Sequence, residues 1–457
     1  MSQTFRSPTS AEEEDVYAKI SRRLVPFLLM CLCVAFLDRI NIGFAKQEMG
    51  ADLGLSAAAY GLGAGIFFIG YFIFEVPSNL LMTKIGAKRT MSRIMILWGM
   101  TSSCTMFVTS ETSFYFLRFL LGVFEAGFAP GLTLYLTYWF TSKRRARMTA
   151  LVLLSIPISG MIGAPLSGAI ISGMHDVWGF AGWQWMFLLE GIPSVVLGLL
   201  VWKVLADSPA DADWLNDREK ALVIRALDEE KAAVSRSGGH HNFLASLKDL
   251  RVWMLAFIYF AMNCSLYLLT FWMPTILSGL GKFSSFKLGL LVAIPYGFAM
   301  VVMIINGKSS DRTQERRWHT IIPALFGTVA LVATTIVASP IANLVLFSIA
   351  TAGTLSVIAV FFTFPPKLLT GVAVAGGIAL INSIGSLGGF VTPYVTGLLV
   401  DRTGSPSSAI YVISAMVGLA LILVYGVSGE RPRKHIASQI PGRAVSEAEK
   451  IIVRPMN

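Results

Sequence analysis

Charged residues are scarce in this chain of 457 residues. Asp, Glu, Lys and Arg together make up 14% of it, whereas hydrophobic residues make up 54% and the mean hydropathy is +0.66. A soluble globular domain carries about 25% charged residues, so the composition argues against a soluble enzyme. The sequence instead indicates a polytopic membrane protein.

Cysteine is scarce as well. The chain has 4 cysteines, all within apolar runs and without the spacing of metal ligands, so neither a disulfide framework nor a metal site is predicted. They are Cys31, Cys33, Cys104 and Cys264.

Several catalytic motifs are missing from the sequence. It contains no Walker-type phosphate loop, no glycine-rich dinucleotide fingerprint after a strand, no H-E-x-x-H and no nucleophile elbow. ATP-driven pumping and intramembrane hydrolysis therefore lack their usual parts, and the protein is not predicted to be an enzyme. No cofactor is expected, and any movement of a solute must draw on ion gradients.

Long apolar runs are what the sequence has in abundance. Runs of about 20 residues, the length that crosses roughly 30 Å of hydrocarbon, recur along the chain. They predict helices rather than a closed barrel, because barrel strands alternate every second residue and these runs are apolar on all sides. The fold class is thus an all-α polytopic membrane protein with twelve transmembrane helices. The predicted spans are 24–44, 57–81, 93–110, 114–138, 148–173, 183–206, 252–278, 286–306, 319–339, 341–364, 371–400 and 407–428.

The longest internal polar stretch, residues 207–250, divides these spans into six and six. It predicts an N-terminal six-helix bundle over 1–206 and a C-terminal bundle over 251–428, joined by a cytoplasmic linker and followed by a cytoplasmic tail over 429–457. Within the linker, residues 213–234 are charged and free of glycine, which favours a solvated surface helix.

Lys and Arg cluster in alternate loops, and the positive-inside rule places those loops and both termini in the cytoplasm. These loops also account for the net charge of +10, so no nucleic-acid partner is expected. The first 20 residues lack an apolar core with a cleavage site, so no signal peptide is predicted. The clustered residues are Lys84, Lys88, Arg89, Arg93, Lys143, Arg144, Arg145, Arg147, Lys308, Arg312, Arg316 and Arg317.

The two halves echo one another. The basic loop at 307–317 follows the eighth span, and the basic loop at 79–89 follows the second span at the matching position. Repetition of a six-span unit is how many secondary transporters build a central site between two moving bundles. A channel does not need this duplication.

The loop at Gly307–Arg317 resembles the G-x-x-x-D-R-x-x-R/K signature of the major facilitator superfamily. Together with five stretches of sequence, one of which overlaps this loop, it makes nearly the whole chain similar to the anion:cation symporter branch, which includes proton-coupled uptake systems for tartrate, aldonates and aldarates, phthalate and hydroxyphenylacetate. The resemblance implies two pseudo-symmetric six-helix bundles, a bacterial cytoplasmic (inner) membrane and a monomer. The motifs are Leu37–Ala45, Arg118–Gly131, Gly182–Gly191, Ser310–His319 and Gly377–Gly385.

The resemblance also assigns the two basic loops to gating. One departure lies in the first loop, where Asn79 and Thr83 stand in place of the usual Gly and Asp, so the gating ion pair of that half is in doubt. The gating candidates are Lys84, Gly86, Gly307, Asp311 and Arg312.

Several charged residues lie inside predicted spans, and four of them are candidates for the chemistry of transport. Each charge at the centre of a span costs roughly 2.5–3.5 kcal/mol, so the adjacent Asp38 and Arg39 point to function. Arg118 and Glu125 are seven residues apart on one helical face and can share a cavity. The resemblance implies proton coupling for Asp38 and Glu125 and carboxylate binding for Arg39, with Arg118 as a second candidate. The alternative is a purely structural salt-bridge network.

Uncharged polar residues within the spans complete the predicted substrate site. Tyr71 belongs to a polar stripe with Glu75 and Asn79 on the second span, of which the latter two are equally compatible with a cytoplasmic gate. A packed core tyrosine and interhelical hydrogen bonds are the structural alternatives. Whether Glu190 is functional or structural stays open. The substrate-binding candidates of this kind are Asn41, Tyr71, Asn263, Tyr267 and Asn382.

The sequence thus predicts a carrier that takes up a small organic acid anion with protons across a lipid bilayer, with a hydroxylated acid such as tartrate or a sugar acid favoured. Proton-driven efflux of a drug or organic acid is the alternative. A membrane sensor that binds its ligand without moving it is a further alternative of a different class.

Overall fold

A computed structural model describes residues 10–236, 247–368 and 373–429. The predicted tail from residue 430 onwards and part of the predicted linker, 237–246, lie outside the described residues. Across the described ranges the regular structure is helical and no β-strand forms.

The described part of the N-terminal half and the linker contains nine α-helices. These are α1 (Ser10–Leu53), α2 (Ala57–Ile85), α3 (Ala87–Cys104), α4 (Glu111–Glu125), α5 (Phe128–Thr137), α6 (Ser142–Leu153), α7 (Ser155–Gly173), α8 (Gly182–Val204) and α9 (Asp217–Arg236).

The described part of the C-terminal half contains eight α-helices. These are α10 (Leu250–Ser278), α11 (Ser285–Thr313), α12 (Trp318–Ala333), α13 (Pro340–Phe361), α14 (Pro365–Leu368), α15 (Ala373–Ser386), α16 (Gly388–Thr403) and α17 (Ser407–Gly429).

The helices account for the twelve predicted spans. Among the residues that the structure describes, ten helical segments are long and apolar enough to cross a membrane, and α12 is a shorter apolar helix. The twelfth span is α3, which packs between α8 and α4. Hydropathy had placed this span at 93–110, about one and a half turns late, because the basic residues Lys88, Arg89 and Arg93 occupy its first half.

Three predicted spans are interrupted by a break between two helices. The span at 114–138 divides into α4 and α5 at Gly127, whose φ of 85° is a left-handed conformation that glycine adopts at little cost. The span at 148–173 divides into α6 and α7 at Leu154, and the span at 371–400 divides into α15 and α16 at Leu387. The first break ends α4 at Glu125, so the carboxyl group lies at a helix terminus in the middle of the bundle.

The two halves meet closely at the ends of the helices opposite to the basic loops, termed here the closed end. α2 packs against α16 and α7 packs against α11. At four glycines a Cβ atom would lie 2.2 Å from a backbone carbonyl oxygen of the facing helix, so only glycine permits this approach. The four pairs are Gly61 with Pro393, Gly397 with Ala57, Gly168 with Ser285 and Gly289 with Ala164.

The linker helix α9 docks on the N-terminal half. Lys19 of α1 forms an ion pair of 2.8 Å with Glu219. Glu230 accepts a hydrogen bond of 2.9 Å from the Ser142 backbone N–H and another from the Ser142 hydroxyl. Partial burial alone would raise the pKa of Glu230, but these hydrogen bonds lower that pKa below its ordinary value.

Candidate substrate site

An ion pair between Arg39 and Glu125 occupies the core of the N-terminal half. The Arg39 Nη2 and Nε groups donate to Glu125 Oε1 at 2.5 and 2.9 Å. Glu125 is 1% exposed and the Arg39 side chain 13%. Glu125 Oε2 has no hydrogen-bond partner among the described residues, so the pair leaves hydrogen-bonding capacity unused on the carboxyl group.

Aromatic rings surround the guanidinium group. The Arg39 Cζ atom lies 5.2 Å from the ring centroid of Phe36, 5.4 Å from that of Phe67 and 5.3 Å from that of Tyr71. Such contacts are attractive and partly replace the water that a buried cation loses. Tyr71, a predicted substrate residue, therefore lies directly beside Arg39.

The other half contributes Tyr267, which also faces Arg39. Its ring centroid lies 4.6 Å from that of Phe68 on α2 and 5.7 Å from that of Phe271 on α10. The structure thus brings four predicted residues to one place at the boundary between the two halves. They are Arg39, Tyr71, Glu125 and Tyr267.

Asp38 points away from its neighbour Arg39. Successive residues of a helix are about 100° apart around its axis, and the Asp38 carboxylate accepts hydrogen bonds from α3 and α8 instead. Trp98 Nε1 donates at 2.5 Å, Ser102 Oγ at 2.9 Å and Ser194 Oγ at 3.2 Å. Asp38 therefore lies behind the Arg39 site rather than in it.

Arg118 is fully buried against α2. Its Nε and Nη2 groups each lie 3.4 Å from a backbone carbonyl, those of Gly63 and Ala64, and its guanidinium carbon lies 5.2 Å from the Phe67 ring centroid. Arg118 and Glu125 lie on the same helix, α4, as predicted, but Arg118 donates its hydrogen bonds to the backbone of α2. Phe67 packs against both Arg39 and Arg118.

Two predicted asparagines lie away from Arg39. Asn41 is buried near Glu190, and its amide atoms have no hydrogen-bond partner in the part of the chain that the structure describes. Glu190 accepts a hydrogen bond of 2.7 Å from Ser167. Asn263 donates to the backbone carbonyl of Tyr259 on its own helix at 3.0 Å.

Asn382 approaches the site from the C-terminal half. Its Nδ2 group donates to Glu75 Oε1 on α2 at 3.2 Å. The polar stripe seen in the sequence therefore continues from Tyr71 to Glu75 and then crosses to the other half.

The sequence profile of the Major Facilitator Superfamily matches residues 28–376, and the helices follow the arrangement expected for that family. The chain belongs to the Major Facilitator Superfamily.

Three relatives of this superfamily member span nearly its full length. It is 46% identical over 422 residues to "Putative metabolite transport protein NicT" of Pseudomonas putida. The matched region covers 92% of this chain and 96% of the relative. It is 43% identical to a "Putative tartrate transporter" of Agrobacterium vitis, with 92% and 96% covered. It is 40% identical to a "Quinolone resistance transporter" of Acinetobacter baumannii, with 92% and 97% covered.

Solved structures show the same fold at low sequence identity. A bacterial homologue of the human lysosomal transporter Spinster, in an inward-facing conformation, matches with a TM-score of 0.70 at 15% identity and covers 89% of this chain and 96% of the other. The Escherichia coli xylose transporter XylE matches with a TM-score of 0.71 at 13% identity, with 89% and 99% covered. This Major Facilitator Superfamily chain is a membrane transporter of a small molecule and not an enzyme.

The predicted C-terminal gating loop of the transporter contains an ion pair. Asp311 pairs with Arg316 at 2.7 Å, and Arg316 also donates to Ser310 Oγ at 2.8 Å. Gly307 lies in the last turns of α11, before this ion pair, and the Arg312 side chain is exposed.

At the predicted N-terminal gating loop, the structure adds a residue that the sequence analysis did not name. Gly86 adopts a φ of 91°, and the Asp207 carboxylate accepts a hydrogen bond of 2.8 Å from the backbone N–H of Lys88 at the start of α3. Thr83 donates only to its own helix, at Leu80, and Lys84 is exposed. Asp207 thus brings a carboxylate to the loop whose usual Asp is absent.

Proposed function

We propose that this transporter imports a small organic acid anion together with protons by alternating access between its two halves. The observation that carries the proposal is the Arg39–Glu125 ion pair at the boundary of the halves. Arginine stays charged at physiological pH and its planar fork matches a carboxylate. A hydroxylated acid is the favoured substrate, because Tyr71 and Tyr267, whose side chains can form hydrogen bonds, lie beside the ion pair.

Competition for Arg39 couples the proton to the substrate in this proposal. A proton on Glu125 removes the negative charge that holds Arg39, which then binds the carboxylate of the substrate. When the substrate leaves, Glu125 releases its proton and pairs with Arg39 again. Glu125 therefore carries a proton in the loaded state and none in the empty state.

Asp38 is the second proposed proton carrier. Its three hydrogen-bond donors lie on α3 and α8, whereas Arg39, the next residue, faces the substrate. Loss of the negative charge on Asp38 weakens these hydrogen bonds, since charge-assisted bonds are roughly twice as strong as neutral ones. A proton on Asp38 would thus loosen α1 from α3 and α8.

The basic loops support an orientation in this proposal. By the positive-inside rule, the linker and both termini then lie in the cytoplasm, and the resemblance to the symporter branch supports a monomer in the inner membrane of a bacterial cell. The closed end then faces outwards, and substrate leaves towards the basic loops. Each net positive charge that moves inwards gains about 2.3 kcal/mol per 100 mV of membrane potential, so protons in excess of the substrate charge drive accumulation.

Uptake into proteoliposomes tests the proposal. Labelled tartrate, gluconate, phthalate and hydroxyphenylacetate are offered with and without an inward proton gradient to the parent chain, Glu125→Gln and Arg39→Ala. Glu229→Gln, on the exposed face of the linker helix, is the matched control. We expect gradient-driven accumulation of one acid, abolished in the first two variants and retained in the control. Equal accumulation by Glu125→Gln would contradict the proton switch.

Proton-driven efflux is the second candidate, favoured by the similarity to the relative named for quinolone resistance. Vesicles preloaded with a fluoroquinolone distinguish the two functions. Export of the drug that depends on the proton gradient, without accumulation of any organic acid, supports efflux and excludes import.

A further inference from the structure

Glu75 is a buried carboxyl group that the proposed transport cycle does not use. It lies on α2, one turn beyond Tyr71 towards the basic loops, and is 8% exposed. Its Oε1 atom accepts the hydrogen bond from Asn382 of the other half, at 3.2 Å. A buried carboxyl group inside a transmembrane segment is costly, which marks it as a functional candidate.

The placement of Glu75 relative to Arg39 suggests its function. Arg39 lies against the Tyr71 ring, with Cζ 5.3 Å from the ring centroid, and Glu75 follows Tyr71 by four residues on the same helical face. One turn advances about 5.4 Å along the axis, and the Glu75 carboxyl is near enough to interact electrostatically with Arg39. The site thus has a cation at one end, beside the Tyr71 ring, and a carboxyl group at the other, one helical turn further along α2.

The two ends have opposite chemistry. Arg39 offers only hydrogen-bond donors and a positive charge, whereas an ionised Glu75 offers only acceptors and a negative charge. A hydroxyl group can donate to Glu75, but a second carboxylate there would place two like charges side by side, which costs several kcal/mol in a poorly hydrated site. Asn382, with an amide donor and an acceptor, can satisfy hydroxyl groups beside Glu75.

We propose that Glu75 is a specificity-determining residue, which selects an anion with one carboxylate at Arg39 and hydroxyl groups at the opposite end, and which rejects dicarboxylates. This inference rests on the proposed function of the same site as an organic acid carrier. It assigns the substrate to hydroxylated monocarboxylates, the aldonate type, in preference to aldarates and tartrate.

A purely structural function for Glu75 leads to a different expectation. If Glu75 only joined the two halves through Asn382, Glu75→Gln would preserve the joint, because the amide oxygen of Gln still accepts the hydrogen bond. The same substitution removes the negative charge. It therefore separates the charge of Glu75 from its hydrogen bond to Asn382.

The test measures initial uptake of labelled gluconate and glucarate by the full chain in proteoliposomes with an inward proton gradient. The two acids share a six-carbon hydroxylated backbone and differ by the second carboxylate. We expect the parent to take up gluconate at least about tenfold faster, and Glu75→Gln to reduce that ratio at least about tenfold, mainly through a lower KM for glucarate. Glu75→Asp keeps the charge and retains the preference for gluconate, and Glu229→Gln leaves both rates unchanged.

The outcomes separate this inference from the proposed function. Equal rates for the two acids in the parent, or an unchanged ratio in Glu75→Gln, overturn the specificity function while organic acid uptake stands. Absence of uptake of either acid, together with no uptake of any other organic acid, overturns both. If Glu75→Gln does not fold, as judged by its thermal unfolding, a preference in Glu75→Asp equal to that of the parent supports the inference and its loss contradicts it.

Discussion

The Asp401 carboxylate of the C-terminal half binds the first turn of α2 in the N-terminal half. It accepts a hydrogen bond of 2.8 Å from the backbone N–H of Ala58. The neighbouring N–H of Ala57 donates to its second oxygen at 3.0 Å. The first N–H groups of a helix have no partner within the helix, and a carboxylate there is also favoured by the helix dipole. Asp401 thus caps a helix of the other half and holds the closed end together.

Removal of this cap should shift the transporter towards opening at the closed end. A lost N-cap costs about 1 kcal/mol, which changes the population ratio of two conformations about fivefold. We expect Asp401→Ala to add a longer distance between spin labels at the exposed residues Ala51 and Lys282, measured by double electron–electron resonance in a cysteine-free background. Asp401→Asn keeps an acceptor oxygen and is the control. Identical distance distributions in the parent and Asp401→Ala would contradict the capping function.

Arg118 should matter more for stability than Arg39. It is fully buried and reaches two backbone carbonyls of α2, so its removal leaves polar groups unpaired and a cavity behind Phe67. We expect Arg118→Ala to lower the free energy of unfolding by about 2–4 kcal/mol, measured by thermal unfolding in detergent.

Arg39→Ala is the comparison for this variant. It should lower stability less, because the Arg39 side chain is more exposed than that of Arg118 and because Glu125, left without its partner, can take up a proton as in the proposed transport cycle. If Arg39→Ala lowered the free energy of unfolding more than Arg118→Ala, Arg39 rather than Arg118 would be the more important residue for stability.

Trp98 should affect transport through Asp38 without touching the substrate. Trp98→Phe removes the indole N–H that donates to Asp38 at 2.5 Å and keeps most of the ring volume. We expect kcat for uptake to fall severalfold with KM nearly unchanged, because an interaction worth about 1–3 kcal/mol is lost away from Arg39. Trp202→Phe, at an exposed tryptophan bonded to Ser92, is the control. A change in KM alone would place Trp98 in the binding site.

The docking of the linker helix should depend on pH only in acid. The pKa of Glu230 is lowered by hydrogen bonds from Ser142, even though partial burial raises it. A carboxyl group with a lowered pKa stabilises the folded contact fully at a pH above its ordinary pKa of about 4.3. This stabilisation is lost as the pH falls through the lowered pKa. Protection of α9 against hydrogen exchange, corrected for intrinsic rates, should therefore be equal at pH 7 and pH 5.5.

Glu230→Ala tests the same contact at neutral pH. We expect faster hydrogen exchange in peptides from Asp217–Arg236, because both hydrogen bonds to Ser142 are lost. Unchanged exchange in this variant would show that the Lys19–Glu219 ion pair and apolar packing suffice to dock the helix.

Sequence reasoning predicted the twelve helices, because the length of an apolar run is a direct measure of what crosses a bilayer. It did not predict the breaks at Gly127, Leu154 and Leu387, since hydropathy carries no information on backbone direction. All three breaks lie in apolar segments, and of these three residues only Gly127 has a positive φ.

The chemistry of the site was partly predictable. The spacing of charges placed Arg39 and Glu125 in one bundle, but their pairing depends on how α1 and α4 rotate against each other. The same rotation directs Asp38 to Trp98 instead of to a cation. The contact of Glu75 with Asn382 joins residues 307 apart in the chain, and no local pattern in a single sequence contains that information.

The four close glycine contacts at the closed end provide a way to change the relative stability of the transporter's conformations. A methyl group at Gly61, Gly168, Gly289 or Gly397 acts as a steric wedge, because a Cβ atom there overlaps a carbonyl oxygen of the facing helix. The wedge penalises this conformation and leaves a conformation with separated helices untouched. Single Gly→Ala substitutions, each adding one carbon atom far from Arg39, are therefore conformational traps that can hold the opposite state for structure determination.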